Sequence, residues 1–140
     1  MKQNRIPPDM DLEDVNFPDT LRLTVESPDA ARDRAVAAAD AAEEGEQTSP
    51  TRSFADVTEF REVLTPRRVE VIQTLIDNEV ESIQALADRL GRNYADVHED
   101  VSLLADYGIV YYREGGRSKA PVVPYTRVEI EGTVAEAHPA

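Results

Sequence analysis

Side chains suited to covalent or metal chemistry are scarce in this sequence. It contains no Cys, and its two His residues, His98 and His138, are far apart. Without Cys there is no thiolate nucleophile, no thiolate zinc site and no disulfide framework. His98 precedes Glu99 and Asp100, but consecutive helical side chains point in different directions and do not form a metal site. No Gly-rich phosphate loop or Ser/His/Asp set is visible, so we expect neither an enzyme nor a protein that binds a cofactor or metal.

A second pattern suits contact with a macromolecule. Two helices with one apolar face each are predicted, the first ending at Gly91 and the second covering about 93–107. Ala87 is small where the helices would cross, Gly91 permits the positive φ needed to leave the first helix, and Val97 would fill the space between them. This spacing predicts a helix–turn–helix unit.

Further elements are predicted on both sides of that unit. Helix N-caps are predicted at five residues, Ser27, Asp56, Thr65, Ser82 and Asn93, with a capping box formed by Asp56 and Glu59. The helix at Thr65-Pro66 precedes the unit, and two strands flank a glycine-rich turn after it. Three helices plus this hairpin predict an α+β fold of the winged helix–turn–helix type with an N-terminal strand–helix extension. The predicted divisions are a disordered lead over 1–19, a strand–helix–strand–helix segment over 20–64 that could dimerise, the winged helix–turn–helix DNA-binding domain over 65–131 and a disordered tail over 132–140.

Apolar periodicity predicts which faces turn inward. In the first helix of the domain, four side chains are expected to form the face that packs on the core: Val69, Ile72, Leu75 and Ile76. The second motif helix is expected to turn three residues inward: Val97, Val101 and Leu104. Its solvent face would then hold five residues: Ala95, His98, Glu99, Ser102 and Asp106. Val128 and Ile130 predict a last edge strand.

The charge of the chain is strongly negative, with a formal net charge of −13. Of the 15 basic residues, only Lys2 and Lys119 are Lys. This composition is typical of salt-loving archaea, in which molar salt screens charges over about 3 Å, although an acidic mesophilic protein is an alternative. Residues 65–127 hold 10 acidic and 8 basic residues, which leaves the motif segment nearly neutral at −2.

Acidic residues on the second motif helix argue against DNA contact unless they have other roles. Asp96 lies in the first turn, where a carboxylate stabilises the helix end by about 0.3–1 kcal/mol. Asp100 is placed on the flank of the helix and could pair with one of three arginines: Arg89, Arg92 or Arg113. Glu99 alone would face the groove, where it could accept a hydrogen bond from cytosine N4.

Three stretches between Leu64 and Tyr125 carry a family resemblance: LTPRRVEVIQTL, ESIQALADRLGRNYADVHEDVSLLADYGIV and YYREGGRSKAPVVPY. They resemble the MarR/ArsR-like winged helix–turn–helix transcriptional regulators, particularly small predicted DNA-binding proteins of haloarchaea. The resemblance implies a dimer whose second motif helix enters the major groove and whose wing, 113–119, touches the flanking backbone. It implies motif contacts from seven residues: Arg92, Asn93, Tyr94, Ala95, His98, Glu99 and Ser102. It implies wing contacts from three residues: Arg113, Arg117 and Lys119.

Two further arginines, Arg67 and Arg68, add positive charge at the rim of the motif and are expected to meet phosphate or to pair with Glu70 or Glu62. We therefore expect a sequence-specific transcriptional regulator that binds double-stranded DNA as a homodimer, with half-sites about one helical turn apart. Dimerisation would come from the N-terminal strand–helix unit or from the first helix of the domain. The alternative is a winged-helix protein–protein adaptor, which could be acidic on every face. The sequence does not specify a small-molecule inducer. It has no long apolar run and no signal peptide, so a cytoplasmic location without membrane contact is expected.

Overall fold

A computed structural model of the chain describes residues 5–6, 19–45, 50–113, 119–132 and 137. Within these ranges the fold is α+β, with five helices and two three-stranded sheets. The helices are α1 (Pro28–Glu43), α2 (Val57–Val63), α3 (Pro66–Asp77), α4 (Ile83–Leu90) and α5 (Tyr94–Asp106). The strands are β1 (Arg5–Ile6), β2 (Thr20–Val25), β3 (Thr51–Phe54), β4 (Tyr111–Arg113), β5 (Ala120–Val122) and β6 (Arg127–Gly132).

Every one of these helices begins at a residue whose side chain accepts a hydrogen bond from a first-turn N–H group. The five N-caps are Ser27, Asp56, Thr65, Ser82 and Asn93, as the sequence predicted. Such a cap stabilises a helix by about 1 kcal/mol. The capping box expected at Asp56 differs in one bond, because Glu59 accepts from the N–H of Ala55 at 2.8 Å.

The first sheet is entirely parallel and has the order β3-β2-β6. Helix α1 connects β2 to β3, while β6 comes from the other end of the chain. The register sets Leu21 beside Val128 and Leu23 beside Ile130, so one face of the sheet is apolar. The predicted 20–64 segment and the last strand of the predicted 65–131 domain therefore share one sheet.

The second sheet has the order β1-β4-β5, with β4 and β5 antiparallel. These two strands are the arms of the predicted hairpin, and its turn, residues 114–118, lies outside the described residues. Strand β1, from the segment predicted as a disordered lead, runs parallel to β4. The rest of that lead before Asp19 lies outside the described residues, as does most of the predicted tail.

The core is densest where α3, α4 and α5 meet. Six side chains there have no exposed surface: Val71, Leu86, Ala87, Val97, Val101 and Leu104. The inward face predicted for α5 is confirmed. That predicted for α3 is partly wrong, because Val71 is buried and Val69 is 48% exposed. Val69 lies on the flank of the buried stripe, above a groove that α3 forms with β6.

A cluster of side-chain contacts connects β3 to the end of α5. The ring of Phe54 stacks on Tyr107 with centroids 5.2 Å apart. The guanidinium of Arg52 donates to the hydroxyl of Tyr111 at 3.3 Å. Gly108 has a φ of 74°, and a Cβ at this position would overlap the Arg52 guanidinium. The positive φ favours a glycine here, and any larger residue would also displace the Arg52 guanidinium.

Candidate nucleic-acid interface

The turn between α4 and α5 has the geometry that the sequence spacing predicted. Gly91 ends α4 in the left-handed conformation with a φ of 68°. The N–H of Arg92 donates back to the carbonyl of Ala87 at 3.1 Å, and Asn93 already caps α5. Ala87 and Val97 are fully buried between the two helices. This short turn holds α5 against α4 and leaves the outer face of α5 exposed.

The outer face of α5 carries the residues that the sequence placed there. Ala95, His98 and Glu99 are exposed, and Ser102 is half-buried. Tyr94 is 46% exposed, and its ring lies 5.6 Å from that of His98. These five residues form a continuous surface over the first part of the helix, and their contact with DNA remains a prediction.

Asp96 has the capping role expected of it. Its N–H donates to the side-chain oxygen of Asn93 at 2.9 Å, and the Asn93 amide donates to the Asp96 carboxylate at 3.0 Å. The carboxylate also lies at the positive end of the helix, where negative charge is stabilising. One acidic residue of α5 is thus explained by helix geometry.

Asp100 has an arginine partner that the sequence predicted, but its burial and its partners in α3 were not predicted. It is buried, with 2% of its surface exposed. One carboxylate oxygen accepts from Arg68 Nε at 3.0 Å, and the other lies 3.4 Å from Arg92 and 3.8 Å from Arg67. The predicted pairing with Arg92 is confirmed. Pairing with Arg113 is wrong, because α5 packs on α3 and so turns Asp100 toward the first turn of that helix rather than toward β4.

The three arginines around Asp100 differ in how far they reach solvent. The side chain of Arg67 is 61% exposed, whereas those of Arg68 and Arg92 are 14% and 17% exposed. Arg68 also donates to the carbonyl of Glu62 at 2.6 Å, and Arg92 pairs with Glu70. The expected contacts of Arg68 and Arg92 with phosphate remain predictions, but both side chains are already engaged within the protein. Of these three arginines, Arg67 is the one whose charge reaches solvent.

The hairpin contributes two described cations. Arg113 pairs with Glu79, and its Nε is buried without a hydrogen-bond partner in the described part of the chain. Lys119 is exposed, and its Nζ lies 5.5 Å from the centre of the Tyr112 ring, a cation–π distance. The third predicted wing residue, Arg117, lies outside the described residues.

One signal in the sequence pointed to the burial of Asp100. It stands beside Val101 and three residues after Val97, both of which face the core. A carboxylate next to an inward stripe is buried only when cations reach it, and such cations can come from any element of the fold. The sequence could not show that they come from the start of α3.

The comparisons with known proteins concern the second half of the chain. A family model described as HVO_A0114 matches residues 63–130, which run from the end of α2 into β6 and make up just under half of the 140 residues. The chain is thus similar to that family over α3, α4, α5 and the hairpin. No curated protein and no solved structure matches it.

Two further observations apply to the part of the chain that the structure describes. None of its helices combines the length and apolar character needed to cross a membrane. No group of three or more His, Cys, Asp and Glu residues within it is arranged to hold a metal ion.

Proposed function

We propose that this protein is a transcriptional regulator of the winged helix–turn–helix class, which binds specific DNA sequences as a homodimer. The observation that carries the proposal is the exposed outer face of α5, held by the short turn at Gly91 and followed by the β4–β5 hairpin. An α-helix of ordinary diameter fits the major groove of B-DNA, which is about 12 Å wide. The hairpin would then lie against the flanking backbone.

In this proposal the outer face of α5 reads base edges. His98 and Ser102 offer hydrogen-bond donors and acceptors, and Glu99 can accept from cytosine N4. Tyr94, packed beside His98, adds an aromatic surface and a hydroxyl group. The acidic character of the helix is compatible with this role, because Asp96 is used in the cap and Asp100 is turned into the core.

Backbone contacts are assigned to cations that reach solvent. Arg67 at the start of α3 and Lys119 on the hairpin are exposed, and Arg117 is added from the sequence. Asp100 would act as a positioning residue for Arg67, because its carboxylate lies 3.8 Å from that guanidinium and would limit its motion before DNA arrives, which reduces the entropy lost on binding. Few phosphate contacts are expected in a protein that works at molar salt, because counterion release adds little affinity there.

The test is fluorescence anisotropy of a labelled duplex taken from upstream of the protein's own gene, titrated in about 2 M KCl and then at lower salt. Arg67→Ala is compared with Arg32→Ala, which removes another exposed arginine, this one from α1. The slope of log K against log salt is negative, and loss of one phosphate contact makes it less steep by about 0.9. We expect this change in Arg67→Ala and not in Arg32→Ala. Equal slopes for both variants would remove Arg67 from the interface.

The contact of α5 with bases is tested with His98→Ala. The variant is titrated against the duplex that the wild-type protein binds and against duplexes that differ from it by single base pairs. A lost base contact relaxes discrimination at one position by about 1–3 kcal/mol and leaves the salt slope unchanged. An Arg117→Ala/Lys119→Ala double variant should instead weaken binding to all sequences alike. If the folded wild-type protein binds none of many genomic fragments at any salt concentration, the regulator proposal is refuted.

One observation favours the adaptor as a second candidate. Arg68 and Arg92 are mostly buried and paired with carboxylates, so the motif rim is less basic than the sequence suggests. A winged-helix domain that binds another protein has no need of a basic rim. In the same titration an adaptor gives no saturable DNA binding, and Arg67→Ala then has no effect.

A further inference from the structure

Strand β6 is an edge strand that contains exposed apolar surface. It pairs with β2 and with no other strand of the described residues. Ile130, on the apolar face of the sheet, is 67% exposed. An open edge of this kind presents unpaired N–H and C=O groups that can hydrogen-bond to another strand.

Beside this edge lies an apolar groove between β6 and α3. It has a volume of about 250 Å³, and it is lined mainly by aliphatic side chains from Leu64, α3 and the strands β2 and β6. On the α3 side Val69, Ile72 and Ile76 line it at helical spacing, with Gln73 beside them. Val69 is 48% exposed although its spacing predicted burial. The groove and the strand edge thus form one continuous apolar surface, here called the β6–α3 face.

The charges of β6 complement those of a second β6 that runs antiparallel to it. In the single chain Arg127 pairs with Glu129 of its own strand at 2.9 Å. With Val128 opposite Val128 of a second copy, Arg127 also stands opposite Glu129 of that copy, and the reverse pair forms by symmetry. Opposite charges directly across an antiparallel pair stabilise the pairing. No like charges stand directly opposite each other in this alignment. The apolar faces of the two sheets would also be continuous, because directly opposed residues point to the same side.

We propose that the β6–α3 face is the dimer interface, and that its occupant is a second copy of this chain. The two β6 strands pair antiparallel about a twofold axis near Val128, joining the parallel sheets of both protomers. The grooves then meet beneath the joined sheet, with Val69 and Ile76 of each α3 covered by the other copy. A twofold interface must be complementary to itself, and the alternation of Arg127 and Glu129 satisfies this condition.

This inference deepens the proposed function by naming the surface of the homodimer, and it does not depend on DNA binding. The outer face of α5 contributes none of the residues lining the groove, so it stays available in the dimer. DNA binding and dimer formation can therefore fail separately in experiments.

The first test is sedimentation velocity on the full chain, from low-micromolar to near-millimolar protein, at a salt concentration where circular dichroism shows the folded state. Ile130→Lys places a charge in the β6–α3 face, and its matched control, Val36→Lys, replaces an apolar residue that is 57% exposed on α1. We expect a dimer for the wild type and for Val36→Lys. The dimer Kd should rise at least about a hundredfold in Ile130→Lys, because the substitution occurs in both copies.

The second test does not rely on loss of binding. Because the chain has no Cys, Val128→Cys introduces a single thiol. In the proposed dimer the two introduced thiols face each other across the twofold axis, so mild oxidation should give a covalent dimer. The control, Val36→Cys, should cross-link much more slowly at equal concentration.

The charge pattern is tested at the lowest salt concentration that keeps the protein folded. Arg127→Glu should weaken the dimer, and Arg127→Glu/Glu129→Arg should restore it. A wild-type chain that stays monomeric overturns the proposal. So does a dimer that Ile130→Lys leaves intact while Val128→Cys fails to cross-link. Since DNA binding is measured separately, neither result bears on the reading role of α5.

Discussion

Helices α1 and α3 start alike and end up in different surroundings. Each begins with a hydroxyl N-cap followed by Pro, Ser27-Pro28 in one and Thr65-Pro66 in the other. Helix α3 buries Val71, Ile72 and Leu75 against its neighbours, whereas α1 buries none of its 16 residues. The difference shows that caps determine where a helix begins, while apolar side-chain area determines whether it is fixed in a core.

The composition of α1 explains its weak attachment. Its inner positions are mostly Ala, and a methyl side chain removes little area from water compared with Leu or Val. A polar contact connects it to the sheet, since Arg34 donates to Glu26 at 2.7 Å and to Ser53 at 2.6 Å. The region where α3, α4 and α5 pack together is stabilised by buried apolar side chains. Helix α1 is stabilised mainly by its own helical propensity and by this contact.

The largest effect is expected from shortening a side chain in the α3–α5 core. Leu104 is fully buried, and Leu104→Ala should lower the free energy of unfolding by about 2–5 kcal/mol through lost transfer energy and the cavity left behind. Val36→Ala in α1 should change it by less than about 0.5 kcal/mol, because Val36 is 57% exposed. Urea unfolding of both variants measures the two values. Similar losses would show that α1 is anchored as firmly as α5.

The second effect concerns Asp100, the polar centre of the same region. Asp100→Asn removes the charge that three arginines share, and we expect a loss of roughly 2–3 kcal/mol. This is less than for a fully buried pair, because Arg67 is 61% exposed and its charge can be solvated. Asp106→Asn, on an exposed position of the same helix, is the control and should change stability by less than about 0.5 kcal/mol. If both variants lose equally little free energy of unfolding, the buried charge of Asp100 does not stabilise this region.

Much of the fold could be predicted from local signals. The N-caps, the left-handed Gly91 and the apolar spacing of α5 depend on residues near each other in the sequence, and these predictions are confirmed. The parallel pairing of β2 with β6 could not be predicted, because these strands are at opposite ends of the chain. Nothing in the periodicity of either strand specifies its partner.

The candidate site also has one part that could be predicted from the sequence and one part that could not. The outer face of α5 follows from helical periodicity and was predicted residue by residue. The partners of Asp100 include Arg67 and Arg68 in α3, and their approach depends on how α3 packs on α5. Val69 fits the apolar pattern of α3 but lies at the groove, because the pattern indicates a face and not what covers that face.

A smaller effect is expected at Gly108, where Arg52 of β3 approaches the end of α5. Gly108→Ala forces a side chain into a left-handed position and against Arg52, so the bond from Arg52 to Tyr111 is disturbed. We expect a loss of about 2 kcal/mol in the free energy of unfolding. Gly91→Ala meets only the backbone penalty of about 1 kcal/mol, since no atom lies near its Cβ position. If Gly91→Ala costs as much as Gly108→Ala, the contact of Arg52 with the α5 terminus does not contribute to stability.

The smallest effect concerns the contact that holds α1. The hydrogen bond from Arg34 lowers the pKa of Glu26 below its ordinary value, and this outweighs the opposite effect of partial burial. A carboxyl group whose pKa is lowered in the folded state stabilises the fold above its ordinary pKa, and this contribution is lost as the pH falls through the folded-state pKa. Glu26→Gln should therefore lower stability by about 0.5–1 kcal/mol at neutral pH and have a smaller effect in acid. Thermal unfolding from pH 7 downward, with Glu43→Gln at an exposed position of α1 as control, measures this difference. A Glu26→Gln penalty that stays constant with pH would show that the charge of Glu26 does not hold α1 to the sheet.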